Sequence, residues 1–171
     1  ELRNLLFTAS KGLIHPIAIR YPRGRGENVN WQQPFEKIEI GRITQLQKGT
    51  KVAVLSTGTI GNNITKALGK TENSSLFSHY HFPFVKPLNI NEISKIINSH
   101  DYIITAEDGV ITGGFGEQIN SIMTRQNLQK PIKNLGISDL FIEHGTVFEL
   151  QQICKIDVTT LIQLFNTFQH D

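Results

Sequence analysis

Apolar and polar positions along the chain change between two periods, and the changeovers mark its elements. Residues 14–20, rich in isoleucine and ending in Arg20, predict a short strand. Tyr21-Pro22-Arg23-Gly24-Arg25-Gly26 halts any regular element, so residues 21 to about 35 form a linker or an ordered surface loop. Alternation over 37–40 and 42–46 predicts edge strands, and Gln47-Lys48-Gly49-Thr50 turns the chain into the best buried-strand candidate, 51–56. Thr57-Gly58-Thr59 is then a turn, with Thr59 placed to cap a helix over about 60–69.

The same alternation of strand and helix repeats downstream. Residues 74–80 predict a strand, 84–88 a proline-bounded loop, and 89–99 a helix with Ile90, Ile93, Ile96 and Ile97 on one face. A strand over 102–105 is ended by Glu107-Asp108-Gly109. Gly113-Gly114-Phe115-Gly116 then introduces a helix over about 116–128 whose Ile119, Ile122 and Met123 face inward. A strand at 132–137 and a short helix at 149–154 follow. Asp157 caps a last helix striped by Val158, Leu161, Ile162, Phe165 and Phe168. Strands separated by helices, three times over, predict an α/β fold with a largely parallel sheet and helices on both faces.

Composition narrows the class. With 171 residues, 39% hydrophobic and 19% charged, the chain suits one globular domain, and its apolar runs are broken far too soon for a membrane span. Its lone Cys154 cannot form an internal disulfide, which suggests an intracellular, cytoplasmic setting. The start at Glu1, without Met or a leader, reads as a piece cut from a longer protein. Net charge is only +2, but residues 1–70 carry eleven Lys and Arg against four Asp and Glu, while residues 71–171 carry six against eleven. That polarity suits a phosphate or an acidic neighbouring domain and is too dilute for nucleic acid.

Candidate chemistry is sparse. No GxxxxGK[ST] occurs, and Ser56-Thr57-Gly58-Thr59-Ile60-Gly61 lacks the spacing of a dinucleotide loop. Gly113-Gly114-Phe115-Gly116 can cradle an anion, but without a Lys, Ser or Thr beside it a close helix start with Phe115 in the core is the better reading. His79 and His81 share one strand face and would begin a metal site, yet no third ligand is evident. His144 with Glu143 and Asp139 offers an acid/base pair, against which stands a plain loop histidine. The sharpest feature is the arginine run at Arg20, Arg23 and Arg25, since a guanidinium at a strand end matches a phosphate.

Four segments carry a family likeness: Ile19-Arg20-Tyr21-Pro22-Arg23-Gly24, Phe84-Val85-Lys86-Pro87-Leu88-Asn89, Thr105-Ala106-Glu107-Asp108-Gly109 with Gly113-Gly114-Phe115-Gly116, and Phe141-Ile142-Glu143-His144-Gly145. In order and spacing the chain resembles the C-terminal part of the 1-deoxy-D-xylulose-5-phosphate synthases, transketolase-like thiamine-diphosphate enzymes. The family usually has Arg and Asp where this chain has Pro83 and Asn89, and Asn89 can still cap the helix that follows.

The resemblance implies a three-layer α/β/α sandwich with a mostly parallel five-stranded sheet and one antiparallel strand. It implies that 1–24 are the tail of a pyrimidine-binding domain, 25–35 a linker, and 36–171 the transketolase-like C-terminal domain. The complete enzyme condenses pyruvate with D-glyceraldehyde 3-phosphate and releases CO2, giving 1-deoxy-D-xylulose 5-phosphate for isoprenoid precursors and thiamine. Arg20 is implied to hold the acceptor phosphate, with Arg23 as companion. No catalytic, cofactor or metal residue is implied in this chain; thiamine diphosphate and Mg2+ belong to absent domains. The implied partners are those domains and a homodimer partner, with no nucleic acid and no membrane. Two rival readings are the corresponding domain of another thiamine enzyme, such as an oxo-acid dehydrogenase beta subunit, and a non-enzymatic module that binds a phosphorylated ligand or acidic partner.

Overall fold

A computed structural model of the chain describes residues 1–22 and 32–168. Strand β1 (Thr44–Gln47) lies at one edge of a five-stranded sheet, followed in the chain by β2 (Val52–Thr57), β3 (Phe77–Phe82), β4 (Tyr102–Val110) and β5 (Ile132–Ile137). Their spatial order is β1-β3-β2-β4-β5, with β1 antiparallel to β3 and every other pair parallel. Helices α1 (Leu2–Ser10), α2 (Ile60–Leu68), α3 (Ile90–Asn98), α4 (Phe115–Arg125), α5 (Val147–Ile153) and α6 (Val158–Phe165) complete the described elements.

The period of two in β2 and β4 divides the core into two layers. Val52, Val54, Ile104 and Ala106 point to one face, where Ile60, Ile64 and Leu68 of α2 and Leu161 and Phe165 of α6 cover them. Ala53, Leu55 and Ile103 point to the other, beneath Ile93 and Ile97 of α3 and Phe115, Ile119 and Ile122 of α4. Both faces of the central strands are thus sealed, which is why 52–55 read as one unbroken apolar run. The three-layer sandwich and its single antiparallel strand are as expected.

Local corrections are instructive. The strand expected at 14–20 does not form, nor does the one at 37–40, and neither segment is paired into the described sheet. Helix α1 had no sequence signal strong enough to be singled out. It docks through Leu5 onto Ile38 and Phe84, with Ile19 against the same cluster, and Thr8 Oγ1 accepts from the Ile38 amide at 2.8 Å. The strand expected from 74 begins at Phe77 after a single 3-10 turn, Ser74–Leu76. Strand β4 continues through Glu107-Asp108-Gly109, where a stop was expected. Thr59 occupies the N-cap position of α2 but its side chain makes no capping bond. Asn89 and Asp157 do cap α3 and α6. Among the described residues no helix is long and apolar enough to cross a membrane.

Candidate functional site

The sheet order creates a switch point, since the chain leaves β2 for β3 on one side and later enters β4 on the other. In open parallel sheets the crevice at the carboxyl ends of such strands is the usual ligand position. Here its walls are Thr57-Gly58-Thr59 after β2 and Glu107-Asp108 near the end of β4. Asp108 bridges them: its Oδ2 accepts from Thr59 Oγ1 at 3.4 Å, which explains why that hydroxyl is not capping α2. Its carbonyl accepts from Arg20 Nη2 at 2.6 Å. Arg20 itself is exposed, so an arginine 88 positions away in sequence is anchored at the rim of the crevice with donors left for a ligand. Arg23 and Arg25 lie outside the described residues.

The strand end that carries Asp108 is irregular. Between Ala106 and Val110 the register against β5 shifts, so two extra residues arch outward as a bulge. Glu107 turns inward from it and is 6% exposed. Its two oxygens accept from the amides of Phe115 and Gly116, each at 2.9 Å, at the start of α4. The anion cradle that the glycine run could have formed is therefore filled by the protein's own carboxylate. Glycine is required at 114 because a Cβ there would overlap that carboxylate, and Phe115 is buried against Phe82 with ring centroids 5.0 Å apart.

His79 and His81 do share a face, and the group they meet is Ser56. Ser56 Oγ lies 2.7 Å from His79 Nε2 and 3.4 Å from His81 Nδ1, while His81 Nε2 is 2.6 Å from Glu1 Oε2. Burial first, and the charge of His81 second, push the His79 pKa down to about 4, so its ring is neutral at neutral pH. Burial works to raise the Glu1 carboxyl, but the His81 hydrogen bond and charge prevail and hold it below its ordinary value. Ser56 and His79 are sealed from solvent, so the pair offers no nucleophile to a substrate. Among the described residues no group of three His, Cys, Asp or Glu is placed to hold a metal ion.

The other candidates are dispersed. His144, Glu143 and Asp139 are exposed in the stretch before α5, and no hydrogen bond joins His144 to either carboxylate among the described residues. Burial, and then the Asp108 charge, raise the Cys154 thiol, which opposes thiolate chemistry. Sequence reasoning missed the roles of Glu107, Asp108 and Thr59. Their signal was present as an acidic pair followed by a glycine run, but a pair that looks like a turn hides a carboxylate turned inward.

Residues 41–161 match the family model of the transketolase C-terminal domain. The chain belongs to the transketolase C-terminal domain family. This transketolase-type domain is similar to two curated proteins named 1-deoxy-D-xylulose-5-phosphate synthase. One, from Bacteroides thetaiotaomicron, is 39% identical over 94% of this chain and 25% of its own length. The other, from Cytophaga hutchinsonii, is 41% identical over 92% of this chain and 25% of its own length. The chain thus spans about a quarter of the relatives it matches. Among solved structures, one titled as a split-gene transketolase, inactive beta4 tetramer, superposes with a TM-score of 0.69 at 20% identity, over 81% of this chain and 46% of that one.

Proposed function

We propose that this chain is the C-terminal part of a 1-deoxy-D-xylulose-5-phosphate synthase, which condenses pyruvate with D-glyceraldehyde 3-phosphate and releases CO2. The observation that carries the reading is similarity to synthases of that name over more than nine-tenths of the chain, at 39–41% identity. In this reading 1–24 are the tail of the pyrimidine-binding domain, 25–35 the linker and 36–171 the C-terminal domain. Arg20 holds the acceptor's phosphate, assisted by Arg23. Support for Arg20 comes from its anchorage on the Asp108 carbonyl, which leaves the rest of the guanidinium fork for a charge-assisted pair with phosphate.

Thiamine diphosphate, when bound, supplies the carbanion chemistry of such enzymes. The described residues do not fit it: the amides at the start of α4 are taken by Glu107, and no acidic cluster is placed for Mg2+. The reading therefore assigns cofactor and metal to parts of the enzyme outside this chain. The domain's remaining task is assembly. Leu140, Phe141, Val147, Phe148 and Ile153 are exposed on and before α5, which buries no residue of its own, and the reading covers them with other domains or with the partner in a cytoplasmic homodimer.

The test is the full-length enzyme with pyruvate and glyceraldehyde 3-phosphate. Arg20→Ala should raise the KM for the phosphorylated acceptor by about 100-fold while leaving the KM for pyruvate within about twofold. Failure of the intact enzyme to use this acceptor would direct attention to an oxo-acid dehydrogenase beta subunit instead. An unchanged acceptor KM in Arg20→Ala would remove the phosphate role from Arg20.

A further inference from the structure

The reading above uses Arg20 but leaves unexplained a buried carboxylate close to it. Glu107 is the only acid among the buried residues of the described sheet, and it lies one position before the carbonyl that anchors Arg20. Its oxygens tie the bulge to the first two amides of α4, so the bulge cannot move without breaking two charge-assisted hydrogen bonds. Three glycines make room for this arrangement. A Cβ at Gly136 would meet the Gly109 carbonyl at 2.9 Å and Glu107 Cγ at 3.1 Å, one at Gly114 would overlap the carboxylate, and one at Gly109 would lie 3.2 Å from Glu107 Oε2 and 3.4 Å from Arg20 Nη1. Carboxylate and guanidinium therefore flank the same point in space, with only a glycine between them.

We propose that Glu107 is a positioning residue for Arg20: by fastening the β4 bulge to α4 it fixes the Asp108 carbonyl that aims the guanidinium at the acceptor's phosphate. The inference rests on the phosphate role of Arg20. The helix end supplies two donors that neutralise Glu107 locally, so the carboxylate holds the bulge without competing for the guanidinium as a salt bridge would. Asp108 adds the second restraint, since its side chain is held by Thr59 across the crevice. Release of either restraint lets the carbonyl turn and the arginine swing into solvent.

Full-length enzyme carrying Glu107→Gln keeps the shape of the side chain but sets an amide NH2 against one of the two backbone N–H groups. The expected result is a rise of about tenfold in the KM for glyceraldehyde 3-phosphate, with kcat and the KM for pyruvate within about twofold of wild type. Use of glyceraldehyde, which lacks the phosphate, should not change. In an Arg20→Ala background the same substitution should add nothing, because a residue that acts through Arg20 has nothing left to position. Equal losses with both acceptors, or a further loss on top of Arg20→Ala, would overturn the proposal in favour of a purely structural cap. If Glu107→Gln does not fold, Glu107→Asp, which keeps the charge but is too short for both amides, is measured in the same way. Should Arg20→Ala alone leave the preference for the phosphorylated acceptor intact, the reading of Arg20 fails, a result distinct from failure of Glu107.

Discussion

Ser56 Oγ and His79 Nε2 lie 2.7 Å apart on neighbouring parallel strands, and both side chains are sealed from solvent. The second ring nitrogen of His79 faces Thr65 Oγ1 at 3.3 Å, so the neutral ring is satisfied at both ends by hydroxyls. A proton added to it would have to be buried without a carboxylate, close to His81.

That arrangement makes stability depend on pH in a definite direction. The His79 pKa falls from 6.5 to about 4 on folding, so between these values the unfolded chain binds a proton that the folded chain does not. The stabilisation is complete above pH 6.5 and is lost as pH falls toward 4. Urea unfolding of the chain should show a loss of about 2 kcal/mol between pH 7 and pH 5. His79→Gln should flatten that slope; an equally steep slope in the variant would show that another group carries it.

A second acid response belongs to a different window. Asp157 Oδ1 accepts from the amides of Thr159 and Thr160 at the start of α6, and Oδ2 from the Thr160 hydroxyl. Burial works to raise its carboxyl, but these hydrogen bonds prevail and hold it below 3.8. Its contribution is present above that value and is lost as pH falls through the lower folded value. Asp157→Ala should cost about 1–2 kcal/mol and lower the melting temperature at pH 7 by about 3–6 °C, because α6 loses its cap. Asp157→Asn, which still caps, should cost less than half as much.

Close approach of two backbones gives a prediction of a different kind. A Cβ at Gly49 would run into the backbone of Phe77, and the Gly49 amide donates to Ser78 Oγ at 2.9 Å. Ser78 in turn lies 2.8 Å from Nε2 of the buried His100. Gly49→Ala should destabilise the chain by about 3 kcal/mol or more, since the turn before β2 must leave the start of β3. Gly69→Ala, in helical conformation with its nearest neighbour at 3.5 Å, should be neutral or stabilising by about 0.5 kcal/mol. Denaturant midpoints of the two variants measured together check the contrast.

These residues also indicate what could be read before any coordinates. Strand β5 was legible over 132–137 because a short segment carrying Ile132, Leu135 and Ile137 is bounded by Pro131 and by Ser138-Asp139, and Asn89 and Asp157 were legible as caps because capping is local. The strand expected at 14–20 was not, because isoleucines favour a strand only where a partner strand lies alongside. Glu107-Asp108-Gly109 looked like the end of β4 because acid next to glycine favours turns. The structure carries the strand onward because the amides of Phe115 and Gly116 at the start of α4 satisfy the buried carboxylate, a contact that an acid-glycine turn pattern does not reveal. Arg20 was singled out by motif, but its hold on Asp108 spans 88 positions and needed the fold.

The rival reading of a freestanding phosphate-binding module makes a prediction opposite to that of the synthase reading, and the 171-residue chain can be asked directly. Arg20 is exposed here and among the described residues its one anchor is a backbone carbonyl, so inorganic phosphate would meet a single guanidinium in water. Such a pair gains little, because both partners exchange hydrogen bonds with solvent and an exposed ion pair is worth about 0–1 kcal/mol. Titration of the chain with phosphate, followed by NMR at the Arg20 side chain, should give a dissociation constant weaker than about 10 mM, with Arg20→Ala indistinguishable in calorimetry. The chain alone should also fail to release CO2 from pyruvate with thiamine diphosphate and Mg2+ supplied. Sub-millimolar phosphate binding that disappears in Arg20→Ala would instead mean that the crevice between β2 and β4 is complete in this chain, and would establish the module as the better account.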